Sequence, residues 1–154
     1  MFVARDSRGE LVNVLEDKLE KQAYTCPACG GQLRLRQGPI VRPHFAHKSL
    51  KYCDYSSENE SLEHLENKEF LYRWLKTEAE VQLEYPLPEL KQIADVFVND
   101  NLALEVQCSP LPQKVLKERS EGYRSHGYQV LWLLGEKLWI KDDQLSGPIL
   151  PINP

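Results

Sequence analysis

The segment Ile93-Ala94-Asp95-Val96-Phe97-Val98, Asn99-Asp100-Asn101, Leu102-Ala103-Leu104-Glu105-Val106-Gln107-Cys108 spells two apolar strands around an Asn-rich turn. Side chains alternate along a strand, so Asp95 shares a face with Ile93 and Phe97, and Glu105 shares one with Ala103 and Gln107. A three-residue hairpin loop pairs Val98 with Leu102 and sets Asp95 directly opposite Glu105. A two-residue loop would move Asp95 off that pairing. Opposed residues have Cβ atoms about 4.5–5.5 Å apart, where two like charges are destabilising unless something positive lies between them. A divalent cation removes the conflict; the plainer alternative is a pair of solvent-facing carboxylates.

Upstream, the spacing predicts a helix over about 60–77, with Ser57 or Asn59 as N-cap. Glu60, His64 and Lys68 fall on one helical stripe that continues through Leu71 and Leu75, with Phe70 and Trp74 beside it. Glu66, Glu69, Arg73 and Lys76 point away. Buried Glu, His and Lys are rarely tolerated unless they pair or bind something, so a core-facing stripe that is polar at one end reads as the lining of a site. The simpler reading is that the first turns protrude beyond the sheet. A strand at Val81–Tyr85 precedes the decisive hairpin. Downstream come a helix over about 112–126, opened by Pro112 and closed by Gly127, and a strand at Tyr128–Leu134. Gly135-Glu136 reads as a hairpin turn into Lys137–Ile140. Arg119 and Tyr123 are i, i+4 neighbours within reach of a phosphate, or a surface pair. The order helix, three strands, helix, strand implies an α+β fold, a small mixed sheet with helices packed on it.

Residues 1–55 have a different grammar: short strand-like pieces broken by turns. Phe2-Val3-Ala4 and Leu11–Val14 flank Asp6-Ser7-Arg8-Gly9, a hairpin pattern. Cys26-Pro27-Ala28-Cys29-Gly30-Gly31 is a knuckle that points two thiolates at one ion while its glycines let backbone amides approach the sulfurs. His44, His47 and Cys53 offer three candidates for the two remaining places of a closed structural zinc site, with Cys26, Cys29 and His47 the firmest of the five. A chance C-x-x-C or a dithiol redox pair is the competing interpretation, although the βαβ unit that houses such redox pairs is absent. The expected organisation is a zinc-binding module at 1–55, a second domain at 56–141 and an irregular tail at 142–154.

The net charge of −4 conceals an asymmetry. Residues 1–58 carry nine Lys/Arg against seven Asp/Glu, and residues 59–154 carry ten against sixteen. That balance argues against a protein that clamps DNA by charge alone and suits an acidic site that holds cations against a polyanion. A solvated acidic surface gives the same numbers. No apolar run approaches the roughly 20 residues of a membrane span, and no secretory segment follows Met1, so a cytoplasmic location with reduced cysteines is expected.

A helix carrying Glu, an Asp strand and a Glu-x-Gln strand resemble the PD-(D/E)XK nuclease pattern. The wider string is more specific: Phe45-Ala46-His47, Glu60-Ser61-x-x-His64-x-x-x-Lys68, Ala94-Asp95-Val96, Glu105-x-Gln107-x-Ser109, Arg119-x-x-x-Tyr123 and Val130-Leu131-Trp132. Together these resemble the competence protein CoiA family, from Met1 to about Ile140. The resemblance implies a restriction-endonuclease-like mixed sheet behind a zinc-finger-like module, a role in processing DNA after uptake, and members longer than this chain. It implies Mg²⁺ or Mn²⁺ at Asp95, Glu105 and the Val106 carbonyl, completed by Glu60. Gln107 would position water, with Lys68 and His64 contacting phosphate or polarising a water. The expected partner is DNA, single-stranded in the favoured reading, with recombination proteins as further candidates. Gln107 stands where Lys is commonest in such nucleases and cannot supply a positive charge, which leaves open a non-catalytic DNA-binding or recombination adaptor.

Overall fold

The computed structural model describes residues 1–49, 53, 55 and 60–138. Among these are two sheets and two α-helices, a mixed α+β architecture. The N-terminal region supplies five short strands: β1 (Val3–Arg5), β2 (Leu11–Asn13), β3 (Tyr24–Thr25), β4 (Gln32–Arg36) and β5 (His44–His47). They form an antiparallel sheet in the order β2-β1-β3-β4-β5. The expected β1–β2 hairpin forms, with Gly9 at φ +82° and the Asp6 carboxylate accepting from the backbone N–H of Arg8 and Glu10. One face of this sheet closes over Ala4, Tyr24, Cys26, Leu33 and Phe45.

The second sheet follows α1 (Leu62–Leu75). Its strands β6 (Val81–Leu87), β7 (Gln92–Val98) and β8 (Leu102–Gln107) form an antiparallel meander. From β8 the chain crosses through α2 (Gln113–Ser125) to β9 (Gln129–Leu134), which pairs parallel to β8. β6 is an edge strand, which is how it accommodates Pro86 without losing a ladder bond. Gly127 ends α2 at φ +84°, as its place after the last periodic residue predicts.

Four details differ from expectation. The N-cap of α1 is Ser61, whose side chain accepts from His64 N at 3.1 Å; Ser57 and Asn59 lie outside the described residues. An extended capping residue leaves Glu60 just ahead of the helix rather than on it. The inward face of α1 is Leu65, Lys68, Leu71 and Tyr72, so Phe70 and Trp74, two positions from Lys68 and Tyr72, stand 67 % and 62 % exposed. Gly135 N bonds Gln107 O, prolonging the β8–β9 pairing, and the chain then enters a 3₁₀ turn at Glu136–Leu138 instead of a hairpin strand. Trp139, Ile140 and the tail at 142–154 lie outside the described residues.

The two sheets share a core. Phe2, just ahead of β1, packs with Leu65, Leu71, Tyr72, Leu83, Val96, Leu104 and Val106 between α1 and the second sheet. A separate cluster around Phe97, Ala103 and Tyr123 fills the space under α2.

Candidate active site and metal-binding group

The β7–β8 register is Val98↔Leu102, Phe97↔Ala103 and Val96↔Leu104, the one produced by a three-residue turn. Asn99 and Asp100 both adopt positive φ in that turn, 48° and 53°, which Asn and Asp tolerate better than most side chains. The same count carries Asp95 to the level of Glu105. On the other side of β7, Leu83↔Val96 and Tyr85↔Ala94 put Glu84 of β6 at that level as well. Three acidic residues therefore stand abreast on three adjacent strands, and regular pairing lapses there on both sides of Asp95. Glu84 sits at φ +50°, a conformation that costs a non-glycine residue about 1–3 kcal/mol and persists where surrounding structure enforces it.

That enforcement comes from the N-terminal strand and α1. The Glu84 carboxylate accepts from Phe2 N at 2.7 and 2.8 Å and from Val3 N at 2.9 Å. Lys68, 0 % exposed, donates to Glu84 Oε1 at 2.6 Å and to Glu60, and its ammonium lies 3.8 Å from Asp95 Oδ1. Burial works against the Lys68 charge, yet Glu60, Glu84 and Asp95 together hold its pKa well above the usual lysine range. Glu60, bonded also by the Met1 amino group, is held far below the carboxylate range against its own burial.

Asp95 Oδ2 accepts from Val106 N at 2.8 Å and lies 3.1 Å from His64 Nε2. Burial opposes its charge, but His64, Lys68 and the Val106 amide outweigh that and keep it ionised. Ligand atoms of Glu60, His64 and Asp95 lie within 4.8 Å of one another, a group able to hold a metal ion. Glu105 is not one of that group: its Oε1 accepts from Arg119 Nη2 at 2.9 Å and Tyr123 Oη at 2.5 Å. Burial and the neighbouring Asp95 charge push the Glu105 carboxyl up to about 7 despite that arginine.

Glu60, His64, Lys68, Asp95, Glu105, Gln107 and Arg119 all line one cleft of about 420 Å³. Gln107 donates from Nε2 to Ser109 O at 2.7 Å, which aims its Oε1 as the remaining acceptor. Arg119 stacks over Trp132 at 4.9 Å. Arg119 and Tyr123, read from sequence as able to reach a phosphate, instead grip Glu105; Tyr123 is fully buried. Lys68 is likewise enclosed among carboxylates. Sequence reading passed over Glu84, whose only local signal was an acidic residue inside an apolar strand.

In the N-terminal region Cys26, Cys29, His47 and Cys53 converge, each offering a ligand atom within 4.8 Å of the others, so this group could bind a metal. Cys29 Sγ lies 3.4 Å from His47 Nε2 and accepts from Gly31 N at 3.3 Å. A Cβ on Gly31 would meet that sulfur at 3.1 Å, which explains the glycine. Burial, with Cys29 beside it, pushes the Cys26 thiol up to about 12. His44 stays outside the group: its Nδ1 bonds Arg42 O at 2.8 Å and the residue lines the cleft.

Comparison with known proteins places these features in context. The chain is 39% identical over 122 residues to the competence protein CoiA of Bacillus subtilis (strain 168), an alignment covering 77% of this chain and 33% of that protein. The chain thus spans about a third of the length of the curated relative it matches. No solved structure matches it. Residues 10–56 match the N-terminal domain of competence protein CoiA and residues 60–146 match its nuclease-like domain, so this chain belongs to the competence protein CoiA family.

Proposed function

We propose that this chain is a divalent-metal-dependent deoxyribonuclease unit, acting in natural competence on incoming DNA. The carrying observation is Glu84, Asp95 and Glu105 abreast on three strands, with Glu60 and His64 converging on Asp95 from the start of α1. Asp95 and Glu105, with the Val106 carbonyl and Glu60, are the oxygen donors that hard cations such as Mg²⁺ or Mn²⁺ take. Such an ion supplies Lewis acidity toward a water and a phosphoryl oxygen. Gln107 Oε1 orients the attacking water. Lys68 keeps Glu60 charged and fixes Glu84 by a hydrogen bond, while Arg119 and Tyr123 hold Glu105 in place. His64 Nε2 faces Asp95 and polarises a water.

In the same reading Cys26, Cys29, His47 and Cys53 hold a structural zinc with no open position. The protein works in the cytoplasm on single-stranded DNA and hands product to recombination proteins.

Asp95→Ala is expected to abolish Mg²⁺- or Mn²⁺-dependent cleavage of single-stranded DNA while leaving the thermal transition within a few degrees. Wild-type cutting by that variant would refute the assignment. A second reading, a non-catalytic adaptor, is favoured by Gln107 and by the Arg119 and Tyr123 contacts that occupy Glu105. Calorimetric titration with Mn²⁺ separates the two: heat that disappears with Asp95→Ala supports the nuclease, and no binding by the wild type supports the adaptor.

A further inference from the structure

The N-terminal sheet contributes part of the lining of the cleft that holds the carboxylates. Arg34 and Arg36 of β4 and His44 and Ala46 of β5 line it, in the register Arg34↔Ala46 and Arg36↔His44. Strand alternation explains the placement. Leu33 and Leu35 turn inward with Phe45 and Tyr24, so the intervening arginines must turn to the other face, where they line the cleft. Both arginines are exposed. The arginines in ion pairs among the described residues are Arg8, Arg42, Arg73 and Arg119, not these two. His44 is turned so that Nδ1 donates to the Arg42 carbonyl, leaving Nε2 as its other polar edge.

We propose that Arg34, Arg36 and His44 form a phosphate-binding wall, by which the N-terminal sheet holds the backbone of a single-stranded nucleic acid against the carboxylate site. The proposal rests on the nuclease reading for its substrate and extends it to residues outside the carboxylate site. Two residues along a strand advance about 6.6 Å, the scale of one step between successive phosphates on a single backbone. Guanidinium groups suit phosphate oxygens because their planar fork donates two parallel hydrogen bonds. The carboxylates of the same cleft repel that backbone, so the arginines define where the strand is held. A cleft of about 420 Å³ has room for a segment of one strand. The basic surplus of residues 1–58 acquires a location in this way.

The test is fluorescence anisotropy with a labelled single-stranded oligonucleotide in Ca²⁺, read across a salt series, for the whole chain. Arg34→Ala/Arg36→Ala is expected to weaken binding about tenfold or more and to lower the slope of log affinity against log salt by about 1–2. Arg34→Lys/Arg36→Lys is expected to keep the slope. Circular dichroism confirms that each variant is folded. Unchanged affinity and slope in the alanine variant overturn the proposal, as does equal affinity of the wild type for a duplex. Arginine-dependent binding without cleavage in Mg²⁺ or Mn²⁺ would sink the nuclease reading and leave the wall standing. Asp95-dependent cleavage that is indifferent to the arginines would do the reverse.

Discussion

Lys68 shows how one side chain holds a site together. A buried ammonium is costly unless its partners are close, and Glu60 and Glu84 both are. Lys68→Met would leave buried Glu84 without its counter-charge and Glu60 with only the Met1 amino group, and is expected to cost about 3–5 kcal/mol in urea titrations. A loss under 1 kcal/mol would mean that water reaches the pair. Glu105 makes the opposite statement. An unfolded carboxyl ionises near its ordinary value of 4.5, whereas the folded Glu105 keeps its proton to about 7. Between those values the folded state binds more protons, so metal-free stability falls as pH rises from about 4.5 to about 7. Glu105→Gln removes the titrating group and is expected to flatten that fall, gaining on the order of 2 kcal/mol over the wild type at pH 8. An identical pH profile in the variant would show that another group is responsible.

At the level of elements, the hairpin register decides which residues can meet. Deleting Asp100 converts the three-residue turn to two, and a one-residue slip turns every side chain of β8 to the other face. The expected result is loss of Mn²⁺ binding together with a large loss of stability, because Leu104 and Val106 leave the core beneath α1 and Glu105 is turned into it. Retained Mn²⁺ binding would show that Glu60, His64 and Asp95 suffice. The Cys26–Cys29 turn sets a second geometry. Gly31→Ala crowds Cys29 Sγ and is expected to lower metal retention in the N-terminal group, read by competition with a chromophoric chelator.

Across the molecule the two sheets are not independent. Phe2 fills the core beneath α1, and the backbone amides of Phe2 and Val3 hold Glu84. Phe2→Ala is expected to cost about 3–5 kcal/mol and also to disorder the acidic site, seen as weaker Mn²⁺ binding by calorimetry. Reduced stability with unaltered Mn²⁺ affinity would show that β1 supports the fold but not the site. No helix among the described residues is long and apolar enough to cross a membrane.

Local pattern was enough for the elements and for the hairpin turn. Period-two alternation around Asn99-Asp100-Asn101 names the strands and their shared acidic level, and Cys26-x-x-Cys29-Gly30-Gly31 names a knuckle whose cysteines join a group that could bind a metal. These signals live within a few residues, where chain geometry leaves few choices. Long-range choices were invisible. Phe70 and Trp74 face outward, and Glu84 is gripped at positive φ by the distant amides of Phe2 and Val3. The surplus histidine leaves the metal group for the cleft because the fold brings Cys53 there instead. Whether Arg119 and Tyr123 serve a carboxylate or a phosphate likewise depends on where α2 lands on the sheet. Sequence spacing fixes neighbours along a chain; packing alone fixes neighbours across it.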